Sequence, residues 1–127
     1  MSVTFSAATG TLENNFRWLT TEDSELNVSN TNFYGIMEML GYRDPGCCGR
    51  FAGETLKTLN HVVDVAVRML AINPAVDAGD HGVVMQLTDC MTIIHCGRRP
   101  GYFLDRLTAL QAIIDIALQN DGFVTYG

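Results

Sequence analysis

Charged side chains are scarce in this chain of 127 residues: they make up 17% of it, and lysine occurs once, at Lys57. Apolar residues make up 47%, so the chain has less solubilising charge than soluble domains usually carry. We therefore expect some apolar surface to be buried against another chain, in a homodimer or on a protein partner. The net charge of −6 argues against nucleic acid as a partner, because phosphate binding relies on clustered basic side chains.

Long apolar runs are also missing. No stretch approaches the roughly 18 consecutive apolar residues that a membrane helix needs, and residues 1–15 contain no basic leader followed by an apolar segment. We expect a cytoplasmic protein that does not bind membranes. In a reducing compartment, the four cysteines at positions 47, 48, 90 and 96 are expected to be free thiols.

The sequence lacks the common motifs of catalysis and metal binding. It contains no GxSxG, Walker or GxGxxG pattern and no CxxC or HxxxH spacing, so we expect neither a metal nor a cofactor. Nothing positive indicates an enzyme. A small hydrolase or transferase that uses His95 or Cys96 is the weakest alternative, because neighbouring residues of a strand point to opposite faces.

Turn residues, caps and hydrophobic spacing predict one domain, residues 1–127, of the α+β class. Helices are predicted over residues 30–40, 54–72 and 100–119, and strands over residues 3–6, 25–28, 83–87, 91–95 and 123–126. Residues 42–53 are predicted to be a loop and residues 74–80 a linker. We expect a small mixed sheet, built from a hairpin and further strands, with the three helices packed mainly on one face. The last strand should pair in parallel with the second hairpin strand through a right-handed crossover.

The second predicted helix is apolar around most of its circumference. Its polar positions, such as Lys57, His61 and Arg68, form one narrow row, and valine, leucine and methionine occupy the rest. So wide an apolar surface predicts burial on more than one side, either inside the fold or at a subunit contact.

Two arginines stand where a predicted strand gives way to a predicted helix. Arg98 and Arg99 precede Pro100 and Gly101, and the first turn of a helix leaves backbone N–H groups without helical partners. Guanidinium groups beside such amides are suited to binding a phosphate or a carboxylate. The alternative is structural: Pro100 starts the helix, and the arginines pair with carboxylates such as Asp105 or those of a neighbouring chain.

A second strand-to-helix junction is rich in asparagine. Asn30 and Asn32 lie in the segment from Asn27 to Asn32, where short polar side chains could contact a ligand beside the orphan amides of a helix start. Helix capping by Ser29 or Asn30 is the more economical interpretation. If both junctions end at the same sheet edge, the asparagines and arginines would line one cleft.

Three segments carry a resemblance to other proteins. These are residues 25–32 (ELNVSNTN), residues 96–103 (CGRRPGYF) and residues 124–127 (VTYG). Together they resemble a loose group of small bacterial proteins of unassigned function, and this resemblance implies a bacterial or mobile-element protein. The resemblance implies no activity, substrate or catalytic residue.

The sequence thus favours a non-enzymatic binding domain for a small anionic or nucleotide-like ligand at the strand-to-helix junctions. Its candidate ligand-binding residues are Arg98, Arg99, Gly101, Asn30 and Asn32. The alternative is a protein-interaction module, such as an inhibitor or accessory factor, whose acidic surface engages a basic partner.

Overall fold

Seven strands and three helices make up the fold, seen in a computed structural model that describes residues 2–11, 13–73, 83–88, 91–95 and 101–127. The strands are β1 (Ser2–Thr11), β2 (Asn14–Trp18), β3 (Leu26–Ser29), β4 (Gly49–Phe51), β5 (Val83–Thr88), β6 (Met91–His95) and β7 (Phe123–Tyr126). The helices are α1 (Asn30–Met39), α2 (Glu54–Ile72) and α3 (Tyr102–Gln119). The predicted α+β class with three helices is confirmed.

The main sheet is antiparallel and is organised around β1. One edge of β1 pairs with β2 and β3, the other edge pairs with β7, and β7 pairs in turn with β4. Between β2 and β3 the chain leaves the ladder, and the Thr20 hydroxyl accepts a hydrogen bond of 3.1 Å from the Ala7 N–H. This side chain takes the place of a missing ladder bond at a buried position.

The strand pairing corrects the expected topology. The hairpin of β5 and β6 is present as predicted, but it forms a separate two-stranded sheet. The last strand, β7, does not pair in parallel with β6: it lies antiparallel between β1 and β4. In that position Val124 and Tyr126 are buried in the core. The expected crossover linked β7 to β6 because these strands are neighbours in sequence, and it did not consider pairing with the distant strands β1 and β4.

Strand β4 is a second correction, because it lies within residues 42–53, which the sequence predicts to be a loop. Three residues are too few to show an alternating pattern. They form a strand because pairing with β7 places Phe51 in the core beside Tyr126, with 5.6 Å between the ring centroids. The predicted linker, residues 74–80, lies outside the described residues.

One face of the main sheet forms the core with the helices. Along β1 the buried side chains Val3, Phe5 and Ala7 alternate, as expected for a strand with one covered face. The helices contribute further buried side chains to the same cluster: Phe33, Ile36, Met37, Leu56, Leu59, Val63, Leu70, Phe103, Leu107, Leu110, Ile113, Ile114 and Ala117. The other face of the sheet, which we call the polar face, carries Ser2, Thr4, Ser6, Asn27, Arg50 and Thr125.

Candidate functional site

The junction between β3 and α1 is capped as the sequence predicts. Ser29 is the N-cap residue, and its hydroxyl accepts a hydrogen bond of 3.3 Å from the Asn32 N–H. In the described part of the chain, the side-chain amides of Asn30 and Asn32 make no hydrogen bond, and both residues are half-buried. The first turn of α1 contains no acidic residue, so nothing there neutralises the positive end of the helix dipole.

The start of α3 lies beside the second predicted junction. Gly101 precedes the helix with a φ of +78°, a conformation that glycine adopts easily, and no side chain caps the first turn. Its carbonyl accepts the hydrogen bond of the Asp105 N–H at 3.0 Å. Arg98 and Arg99 lie outside the described residues, as do Cys90 and Cys96.

The two junctions do not belong to one sheet, since β3 is part of the main sheet and β6 is part of the hairpin. Helix packing nevertheless brings α3 to β3. The end of α3 lies beside Thr9, whose hydroxyl donates a hydrogen bond of 3.3 Å to the Asn120 carbonyl. The helix also contacts β3, which pairs with the other half of β1, residues 2–5. The helix therefore runs from the β3 side of the sheet toward Thr9, and its first turns lie toward the strand that leads into α1.

Arg106 is a cation that sequence reasoning did not single out. It is half-buried one turn into α3, and its guanidinium carbon lies 5.3 Å from the centroid of the Tyr102 ring. Its buried Nε has no hydrogen-bond partner in the described part of the chain. A buried donor of a charged group without a partner is costly, so this atom calls for an explanation. The four-residue spacing from Tyr102 is the only sequence signal for this contact.

A cleft on the polar face forms a second candidate. Its volume is about 280 Å³, and its lining residues are Gly10, Thr11, Glu13, Phe16, Arg50 and Phe123. The Arg50 guanidinium carbon lies 5.0 Å from the centroid of the Phe123 ring, and no described carboxylate lies within ion-pair distance of Arg50. We call this feature the Arg50 cleft.

Local backbone geometry positions the rings at the Arg50 cleft. Gly10 has a φ of +82°, and a side chain there would collide with the backbone of Asn15, so the tight turn from β1 to β2 depends on glycine. Ala8 pairs with both Trp18 and Phe123, which puts the two rings on one face. Phe16 follows the same alternation and meets Trp18 edge to face, with centroids 5.2 Å apart.

The loop before β4 presents two exposed free thiols, Cys47 and Cys48. Burial raises the pKa of the nearby Tyr126 phenol, and the negative charge of Cys48 and Cys47 adds to the increase. Among the described residues, no group of three or more His, Cys, Asp or Glu side chains is arranged to hold a metal ion.

Helix α2 exposes an apolar row, although it also buries Leu56, Leu59, Val63 and Leu70 in the core. Val65, Met69 and Ile72 lie on one side of the helix and are 40%, 65% and 84% exposed. Beside the row is a small apolar groove of about 160 Å³, formed with Met39 of α1. The broad apolar surface predicted from the sequence therefore has an interior part and an uncovered part.

A comparison with known protein families, with curated proteins and with solved structures finds nothing that matches this chain. None of the helices in the described ranges has the length and hydropathy needed to cross a bilayer.

Proposed function

We propose that this chain is a binding domain for a small anionic or nucleotide-like ligand, held where α1 and α3 begin. The observation that carries the proposal is the buried Nε of Arg106, which has no partner among the described residues. An anionic oxygen of a ligand would supply the missing acceptor. A guanidinium group can also bind two oxygens of one phosphate or carboxylate group through two parallel hydrogen bonds.

The surroundings of Arg106 support an anion in this region. The Tyr102 ring lies against the guanidinium group, which limits the orientations that the side chain can adopt. We also include the first turn of α1 in the proposed site, because it offers a positive helix end and because the side-chain amides of Asn30 and Asn32 make no hydrogen bond in the described part of the chain. Arg98 and Arg99 precede α3 in the sequence, and we include them in the proposed site together with Gly101.

The charge of the whole chain affects how such a ligand would be bound. At −6, the chain repels anions over long distances, so the attraction must come from groups in direct contact with the ligand. The proposed activity is binding, with no catalytic step.

Thermal unfolding in inorganic phosphate and in AMP tests this proposal, with sodium chloride at equal ionic strength as the reference. A ligand at one hundred times its Kd increases the free energy of unfolding by about 2.7 kcal/mol. We expect either compound to raise the Tm of the unchanged protein. If neither compound changes the Tm, the proposal is wrong.

Variants locate the site. Arg106→Gln should lose most of the rise in Tm while its circular dichroism spectrum is retained, and Arg98→Ala combined with Arg99→Ala should lose it as well. Arg68→Gln is the matched control, because Arg68 is exposed and lies 3.2 Å from Asp64. A full rise in Arg106→Gln would show that Arg106 does not bind the ligand.

A second candidate function is protein interaction through the exposed row of α2, and the partner that fits best is a second copy of this chain. The row is uncharged, and the adjacent Asp64–Arg68 ion pair has no net charge. Two copies could therefore approach along α2 despite their overall negative charge. A symmetric dimer uses the same patch on both copies, so an exposed side chain such as Ile72 of one copy could enter the groove of the other.

A further inference from the structure

The Arg50 cleft is independent of the site proposed at the helix starts. It combines a cation, a carboxylate and aromatic rings around one cavity, and each of the three can recognise a different part of a ligand. Arg50 lies on β4, Glu13 in the turn after β1, and Phe16 and Phe123 on β2 and β7. Segments distant in sequence thus converge on this end of the polar face.

We propose that the Arg50 cleft binds a free aromatic amino acid in its zwitterionic form. The carboxylate of the ligand pairs with Arg50, its ammonium group pairs with Glu13, and its ring packs against Phe16 and Phe123.

Arg50 is prepared for a carboxylate. Its guanidinium group rests on the Phe123 ring, and no described carboxylate is within ion-pair distance of it. A guanidinium held on an aromatic face keeps its N–H groups available in its own plane, where a carboxylate can accept two hydrogen bonds. The side chain is exposed, so a ligand can reach it without any movement of the backbone.

The rings select for an aromatic side chain. Phe16 and Phe123 are half-buried, so each is held in place while part of its surface remains open. Aromatic rings pair favourably edge to face or offset, as Phe16 and Trp18 already do in this protein.

Glu13 distinguishes a zwitterion from a simple anion. Its exposed carboxylate lies on the same cavity as Arg50, so a ligand with only a negative group would meet one attractive and one repulsive charge. A ligand with both an ammonium and a carboxylate group satisfies both side chains.

Size limits the ligand to a single small molecule. The cleft holds about 280 Å³, close to the lower end of the range of small-molecule sites, at roughly 300 Å³. One amino acid fits this space better than a dinucleotide or a longer chain does. A polyanion is also disfavoured, because Arg50 is the only cationic side chain among the described residues that line the cleft.

The fluorescence of Trp18 provides a direct measurement. The sequence contains one tryptophan, and this residue is 57% exposed beside the cleft, so a ring that binds next to Phe16 changes its surroundings. L-phenylalanine is the probe, because it does not absorb at the wavelengths that excite tryptophan. We expect a saturable change in Trp18 emission on titration with L-phenylalanine.

Three analogues each remove one recognition element. Phenethylamine lacks the carboxylate, 3-phenylpropionate lacks the ammonium group, and L-alanine lacks the ring. Each should bind at least about tenfold more weakly than L-phenylalanine, as expected for the loss of one charged hydrogen-bonded contact or one ring contact. Equal affinity for L-phenylalanine and 3-phenylpropionate would overturn the role of Glu13 and with it the zwitterion proposal.

Variants assign the contacts. Arg50→Gln should weaken the binding of L-phenylalanine about tenfold but should not weaken the binding of phenethylamine. Glu13→Gln should weaken the binding of L-phenylalanine and phenethylamine about tenfold but should not weaken the binding of 3-phenylpropionate. Arg17→Gln is the control, because Arg17 is exposed on β2 between Phe16 and Trp18 and points to the other face. All of these side chains are exposed, so folding should be retained, as circular dichroism can verify.

Binding of L-phenylalanine at the Arg50 cleft can be distinguished from binding of phosphate at the helix starts. Arg50→Gln should leave the effect of phosphate on the Tm intact, and Arg106→Gln should leave the binding of L-phenylalanine intact. The proposal is overturned if L-phenylalanine up to 10 mM leaves Trp18 emission unchanged, or if Arg50→Gln binds it as tightly as the unchanged protein does.

Discussion

The hydroxyl of Tyr126 donates a hydrogen bond to the carbonyl of Pro45, with 2.6 Å between the two oxygens. Tyr126 belongs to β7, and its ring packs against Phe5, Phe33 and Phe51 in the core. Pro45 belongs to the loop that carries Cys47 and Cys48. One side chain therefore links the centre of the sheet to the loop that leads into its edge strand.

Removal of this hydroxyl should destabilise the protein by a limited amount. Tyr126→Phe retains the ring contacts but leaves the Pro45 carbonyl without its donor, so we expect the free energy of unfolding to fall by about 1 kcal/mol in urea denaturation. Tyr34→Phe is the control, because Tyr34 is about half exposed and, among the described residues, its ring contacts only Phe33. An equal loss in both variants would contradict the assigned role of the hydrogen bond.

Stability should fall in alkaline solution because of two phenols, those of the buried Tyr126 and the half-buried Tyr42. Burial raises the pKa of both Tyr126 and Tyr42 above the ordinary value of 10.0. Below pH 10 both groups are protonated in the folded and unfolded states. Above it the unfolded chain releases these protons first, so the free energy of unfolding decreases as the pH rises toward the folded-state pKa.

Urea denaturation between pH 8 and pH 11 measures this effect. Tyr126→Phe should show a shallower decline above pH 10 than the unchanged protein, and the variant that also contains Tyr42→Phe should show the smallest decline. The same slope in all three proteins would mean that these phenols do not cause the loss of stability.

Variants at the start of α1 distinguish residues that cap the helix from residues that bind the ligand. Ser29→Ala removes the acceptor of the Asn32 N–H and should lower the free energy of unfolding by about 1 kcal/mol. Thr31→Ala is the control, because Thr31 is exposed and its side chain makes no hydrogen bond within the described part of the chain. Asn30→Ala and Asn32→Ala should cost less than Ser29→Ala without ligand but should reduce the rise in Tm with phosphate. If phosphate raises the Tm of both variants as much as it raises the Tm of the unchanged protein, these asparagines do not bind the ligand and contribute only to the start of the helix.

The exposed row of α2 predicts self-association. Met69→Lys places a charge within the apolar row, so it should lower the dimer fraction in sedimentation equilibrium while changing the stability of the monomer by less than about 0.5 kcal/mol. His61→Lys, at an exposed position outside the row, is the control and should leave the dimer intact. A monomeric unchanged protein at millimolar concentration would rule out the dimer.

Local signals predicted some elements well. Helix α2 begins and ends where Gly53 and the pair Asn73-Pro74 interrupt the helical spacing, and the structure gives the same bounds. The sequence predicts the hairpin equally well, because two short apolar runs are separated by a turn. These elements depend on interactions between residues close in sequence, which a pattern can represent.

Other features depend on partners that are remote in sequence. The position of β7 and the existence of β4 follow from pairing across the sheet, to which local propensity contributes little. The same holds for the candidate sites. Arg50 and Arg106 cannot be distinguished from the other arginines by sequence. Among the described residues, Arg50 lacks an ion-pair partner and the Arg106 Nε lacks a hydrogen-bond acceptor, and both properties emerge only when the chain has folded.

The pairing of β1 with β7 has a consequence for the speed of folding. Residues 5–8 meet residues 123–126, so nearly the whole chain lies in the loop that this contact closes. Closing so large a loop has an entropic cost that must be met before the strand contacts compensate for it, and proteins dominated by such distant contacts fold slowly. The hairpin and the three helices can form early from local contacts, whereas assembly of the central sheet should set the overall folding rate.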